Sequence, residues 1–161
     1  MLPKIANILY ATDLGENAGP ALRMAYKLAE VNDAHIVILH VIEEVSAQTA
    51  IMIDSYLPER DFEDLRREGR QEAFKLMSTR LADFCKAELG GQIFPENRIE
   101  ERVEEGYPAK VILNVADEID ADLVVIGAHA HTTMGELVIG SVAHKVMHRT
   151  KRPVMLVPVG E

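Results

Sequence analysis

His35-Ile36-Val37-Ile38-Leu39-His40-Val41 is the stretch that decides the fold. It is rich in β-branched residues and almost continuously apolar, without the polar alternation of a strand that has one wet face. A strand of this kind is buried on both sides, as in a parallel sheet covered by helices. Upstream, Ile5 to Thr12 is a second such run, and it stops at a turn signal, Asp13-Leu14-Gly15. Between the two, Ala18, Leu22, Ala25 and Ala29 recur at helical spacing, with Asn17 placed to cap and Pro20 in the first turn.

The same alternation continues downstream. Residues 43–59 have no clear period and contain the apolar clump Ile51-Met52-Ile53; they predict a loop or short helix packed on the domain, with a lid or a subunit contact as the sharper alternatives. Phe62, Leu65, Gly69, Ala73, Leu76, Met77, Leu81 and Phe84 predict the inner face of a long second helix, ended by Gly90-Gly91. Arg98 to Val103 alternates charge with apolar residues, as a half-exposed edge strand does. Pro108 opens a third helix with Val111, Ile112, Val115 and Ile119 inward. Leu123 to Ile126 is a fourth strand, Val138 to Arg149 a fourth helix and Pro153 to Val159 a fifth strand. Five strands separated by helices predict a Rossmann-like α/β domain, with an open parallel sheet and helices on both faces. Repeats and linkers are absent from the sequence, so residues 1–161 read as one domain.

Composition narrows the function. With 48% hydrophobic residues the 161-residue chain can build a core, and a net charge of −9 argues against nucleic acid or an anionic membrane surface as partner. The apolar runs are strand-length, too short to span a bilayer. The first strand begins within a few residues of Met1, leaving no room for a signal peptide, and the single cysteine, Cys85, allows no intrachain disulfide. These features predict a cytoplasmic protein with an inert, buried thiol.

In an open α/β sheet, ligands sit beyond the carboxyl ends of the strands. The loop after the fourth strand, Gly127 to Ser141, stands out there. Gly127 is expected to end the strand where a side chain would block a close ligand. Gly140-Ser141 falls at the start of a helix, where the N–H groups of Ser141 and Val142 lack intrahelical partners and the dipole favours an anion. The Ser141 hydroxyl adds a donor. A phosphate fits these features; so does a plain strand-to-helix turn with a serine cap.

The stretch resembles the universal stress protein family, whose nucleotide-binding members carry G-x2-G-x9-G-[S/T]. Gly127, Gly140 and Ser141 match in register, and Ala130 stands where the second glycine belongs. The resemblance extends over nearly the whole chain, through Ile8-Leu9-Tyr10-Ala11-Thr12-Asp13, Leu39-His40-Val41, Gly106-Tyr107-Pro108, Ala121 to Gly127 and Arg152-Pro153-Val154. It implies the strand order 3-2-1-4-5, which sets Asp13 facing the loop at Gly127. It implies an adenine-nucleotide site, ATP or else AMP or ADP, with Mg²⁺ carried mainly by the nucleotide. Ala11, Thr12 and Asp13 would lie near the ribose or base, and Val41 would offer backbone hydrogen bonds to the adenine edge. Gly127, His129, Ala130, His131, Gly140, Ser141 and Val142 would surround the phosphates. Position 11, often proline in the family, is Ala11 here. At Ala130, a loop that demanded a left-handed backbone would make the methyl cost on the order of 1–2 kcal/mol.

No Lys or Arg lies between Gly127 and Ser141, and Glu136 is acidic. Phosphoryl transfer usually requires a cation on the γ-phosphate and an aimed nucleophile, so the expectation is a nucleotide holder with no catalytic residues. Lys145, one turn into the fourth helix, is expected to point elsewhere. His129-x-His131 and the i, i+4 pair His144 and His148 have no third ligand at a persuasive spacing, so no metal site is expected. The leading reading is a stress-linked regulatory module that acts on a protein partner the sequence does not name. The alternatives are a dimeric signalling or scaffold protein without nucleotide, and a slow ATPase. In the implied order the fifth strand is an edge, and Val154, Met155, Leu156 and Val157 predict a homodimer formed through it, with Pro158 unable to donate.

Overall fold

The computed structural model describes residues 2–57, 62–92, 94–130 and 137–159. Its elements are β1 (Asn7–Ala11), α1 (Gly19–Asn32), β2 (His35–Glu43), α2 (Ala47–Tyr56), α3 (Phe62–Glu88), β3 (Ile99–Gly106), α4 (Pro108–Glu118), β4 (Leu123–Ala130), β5 (Leu137–Val138), α5 (Ser141–Arg149) and β6 (Val154–Val159). Five strands run parallel in the order β3-β2-β1-β4-β6, so the predicted order holds with β6 as its fifth strand.

The period of two along each strand sorts side chains between two cores. Ile8 and Tyr10 of β1, with Ile36 and Ile38 of β2, pack beneath α1 and α3. Leu9 and Ala11, with Val37 and Leu39, pack beneath α4 and α5. Alanines dominate the inner face of α1, Ala21, Ala25 and Ala29 among them, which lets that helix lie close to the sheet. The Asp122 carboxylate accepts the N–H groups of Ala6 at 2.8 Å and Asn7 at 2.9 Å, and Asp122 N–H donates to Asn7 O, which pins the register of β4 on β1.

Several boundaries differ from the sequence reading. The fourth strand does not end at Gly127 but continues to Ala130. The final helix starts at Ser141; Leu137 and Val138 instead form β5, antiparallel to His129 and Ala130. β6 occupies one edge of β4 from Val124 to His129, so β5 takes the other edge, just past the point where β1 stops pairing at Ile126. An apolar pair such as Leu137-Val138 suits either period, and the available β4 edge selects the strand. Leu76 faces out, 42% exposed, and Met77 takes the buried position. Residues 43–59 do contain a helix, α2, capped by the Ser46 hydroxyl accepting from Thr49 N–H, yet Ile51 and Met52 stay exposed. Cys85 is buried, and Gly90 and Gly91 end α3 at positive φ, with Gly91 N–H donating back to Cys85 O.

Candidate functional site

A cleft of about 330 Å³ opens at the carboxyl ends of β1 and β4, where strand order reverses. Tyr10, Ala11, Thr12 and Asp13 form one wall, with Leu39, His40 and Val41 of β2 beside them. Ile126 and Gly127 of β4 and Val159 of β6 make another, and Pro108 and Ile112 of α4 contribute apolar surface. Gly140, Ser141, Val142 and Ala143 close it at the start of α5. Eight of the expected residues therefore meet in one cavity: Ala11, Thr12, Asp13, Val41, Gly127, Gly140, Ser141 and Val142. His129 and Ala130 are the last two residues of β4, and His131 lies outside the described residues.

The turn after β1 is held by its own side chains. Asp13 Oδ1 accepts Gly15 N–H at 2.8 Å, and Thr12 Oγ1 accepts Leu14 N–H at 3.0 Å. Leu14 sits at φ 59°, a left-handed conformation that an apolar branched residue rarely adopts, with its side chain buried in compensation. Gly15 is bare for a local reason: a Cβ there would stand 2.9 Å from Asp13 Oδ1. Asp13 is thus both a turn residue and a wall of the cleft.

Two polar groups in the cleft were not singled out from sequence. His40 Nδ1 lies 2.9 Å from Thr12 O. A carbonyl only accepts, so Nδ1 carries the proton and Nε2 of the neutral ring is left as an acceptor. Tyr10 is 2% exposed and donates its hydroxyl to Ala18 O at 3.2 Å. Burial pushes its phenol up to about 12, with the Asp13 charge adding and a Thr12 hydrogen bond opposing, so it stays a neutral donor. His40 was legible only as a polar interruption of an apolar strand; Tyr10 gave no signal at all.

Gly127 has a different explanation from the one its sequence suggested. It lies inside β4, and a Cβ built on it would stand 3.1 and 3.2 Å from the two Val159 methyl carbons. The space on the Cβ side of Gly127 is filled by the Val159 side chain. Ala130 pairs with Leu137 as an extended strand residue, which removes the left-handed strain considered above. At the other end of the cleft, Gly140 takes φ −57° and ψ 156° as the residue before α5, without a side-chain cap among the described residues, and the first turn of α5 lines the cavity. Lys145 Nζ donates to Tyr107 Oη at 2.7 Å. It stands 4.9 Å from the ring centroid, beyond the hydroxyl and not over the ring face. The His144 and His148 rings meet at 4.4 Å between centroids, tilted by 52°, and among the described residues no cluster of three metal-ligating side chains forms.

The Universal stress protein family model matches residues 4–158. The chain belongs to the universal stress protein family. A relative within it, the universal stress protein YxiE of Bacillus subtilis, is 32% identical over 151 residues, spanning 93% of this chain and 97% of that protein. Two solved family structures share the fold. A universal stress protein in complex with cAMP superposes with a TM-score of 0.62 at 19% identity, covering 97% of this chain and 98% of its own. The universal stress protein from Archaeoglobus fulgidus in complex with dAMP gives 0.56 at 20% identity, covering 94% and 97%. No helix among the described residues is long and apolar enough to cross a membrane.

Proposed function

We propose that this universal stress protein is a cytoplasmic regulatory module that binds an adenine nucleotide in the cleft between β1 and α5, with ATP and its Mg²⁺ as the leading ligand. The observation that carries the reading is the convergence of eight of the expected residues on one cavity at the switch in strand order. Apolar side chains from Ala11, Val41, Pro108 and Ile112 suit a base. The N–H groups at the start of α5 and the Ser141 hydroxyl suit phosphate oxygens. Among the described lining residues there is no Lys or Arg, so backbone dipoles and a nucleotide-borne Mg²⁺ carry the charge compensation. That composition favours holding a nucleotide over cleaving it. The cAMP and dAMP complexes of structural relatives support an adenine ligand.

Occupancy would act on the β1 turn and the β4–β5 hairpin, and through them on a protein partner. The edge of β6 that no described strand covers supports a homodimer through Val154, Met155, Leu156 and Val157. Of these, the first three are half-buried in one protomer. The test is calorimetric titration of ATP, ADP, AMP and cAMP in Mg²⁺ buffer, into the native chain and into Gly140→Val. A branched side chain at Gly140 obstructs phosphate at the helix start, so native binding with at least a tenfold loss in the variant is expected. A well-folded native protein that binds none of the four overturns the reading and leaves the nucleotide-free scaffold.

A further inference from the structure

A second cavity, of about 240 Å³, lies on the other side of the β1 turn, between that turn and α3. Tyr10, Thr12 and Ala18 line both cavities and form the partition between them. Its floor is apolar, built from Leu22 of α1, Ile38 of β2 and Met77, Leu81 and Phe84 of α3. Against that floor stands Arg80, whose Nε is buried without a hydrogen-bond partner among the described residues. That Nε has no surface for a ligand to reach, but the guanidinium forms no ion pair with any described residue, which leaves the rest of its fork as the cavity's uncommitted cation. The other cation of the rim, Arg23, is already committed to Glu88 at 2.8 Å.

We propose that this cavity is a binding site for a small amphiphilic carboxylate, with the apolar part on the Met77–Phe84 floor and the carboxylate on Arg80. A planar guanidinium matches a carboxylate in geometry and charge, and the floor offers nothing for a second polar group. Glu16, Asp83 and Glu88 also line the cavity and repel a phosphoryl dianion more strongly than a ligand with one negative charge. The cavity is smaller than the nucleotide cleft, about 240 against about 330 Å³, and suits an eight-carbon chain or a single-ring acid. The site is independent of the nucleotide reading, because the Tyr10–Ala18 hydrogen bond and the turn lie between the two cavities.

The probes are octanoate and its uncharged counterpart octanol, titrated into the full chain labelled at methionine and isoleucine methyls. The Met77 methyl reports the second cavity and Ile112 reports the nucleotide cleft. Octanoate is expected to shift the Met77 signal saturably, and octanol to need at least ten times the concentration. Arg80→Gln should weaken octanoate by at least tenfold and leave octanol unchanged, with Arg80→Lys recovering part of the loss. Equal response to acid and alcohol, indifference of octanoate to Arg80→Gln, or a shift confined to Ile112 each overturns the proposal.

Discussion

Replacing Gly127 with alanine separates two reasons for a bare residue in β4. If the position is empty for a ligand, the methyl harms binding and leaves folding alone. The structure assigns the space to Val159, whose methyl carbons would stand 3.1 and 3.2 Å from the new Cβ. Overpacking of this kind costs about 1–3 kcal/mol. Alanine recovers about 0.5–1 kcal/mol of the backbone entropy that glycine loses in a strand. The net expectation for Gly127→Ala is a destabilisation of about 1 kcal/mol, within the roughly 0–2.5 kcal/mol that the two ranges allow. Val159→Ala alone should cost about 1.5 kcal/mol, from two methyl groups at about 0.8 each. With Val159 truncated the clash is gone, so Gly127→Ala should then stabilise by about 0.5–1 kcal/mol. The sign of one substitution reverses with the identity of a residue on a different strand. Urea unfolding of the four proteins in the cycle measures this, since 1 kcal/mol moves the midpoint by about 0.5 M when m is about 2 kcal/mol per M. Equal effects of Gly127→Ala in both backgrounds would refute the packing argument and return Gly127 to the ligand.

Ala130→Gly should leave ATP affinity flat or slightly reduced, because Ala130 is extended in β4 and glycine adds only chain entropy; a gain of fivefold or more in calorimetry contradicts that. Burial pushes the Glu105 carboxyl up, but hydrogen bonds and charges from Arg66 and Arg70 outweigh it and leave it below the usual 4.5. The depressed carboxylate stabilises the fold above its unfolded value, and that stabilisation is lost as pH falls from about 4.5 through the folded value. Glu105→Gln should therefore flatten the acid limb of thermal stability, and an unchanged limb sinks the assignment. Light scattering at micromolar concentration should give a dimer, and Met155→Lys on the free edge of β6 a monomer; a native monomer removes the β6 contact.

What could be read in the sequence was whatever depends on local period or punctuation. His35 to Val41 announced a doubly buried strand, and Gly90-Gly91 announced the end of α3; both hold because burial pattern and positive φ leave marks in residue type. The cleft residues at Asp13, Val41 and Gly140 were legible through the resemblance, since their spacing persists in the chain. The strand β5 was not legible, because two apolar residues have no period of their own and the β4 edge chose their state. Nor was the Gly127–Val159 contact, which joins residues on different strands, or the Thr12–His40 bond, which depends on β1 and β2 lying side by side. Arg80 was not legible either, because the α3 register and not its residue type turns its Nε inward.

The carboxylate of Asp122 reaches back 115 residues to the N–H of Asn7, and β4 pairs with β1 over the same separation. On a ribosome working at roughly 5–20 residues per second, the partner strand emerges about 6–23 s after β1. Through that interval β1 can pair only with β2, and its other edge, Ile8 to Ala11, carries unanswered backbone groups beside apolar side chains. The centre of the finished sheet is, during synthesis, its exposed border, and a chaperone that recognises short extended apolar segments would find its target there.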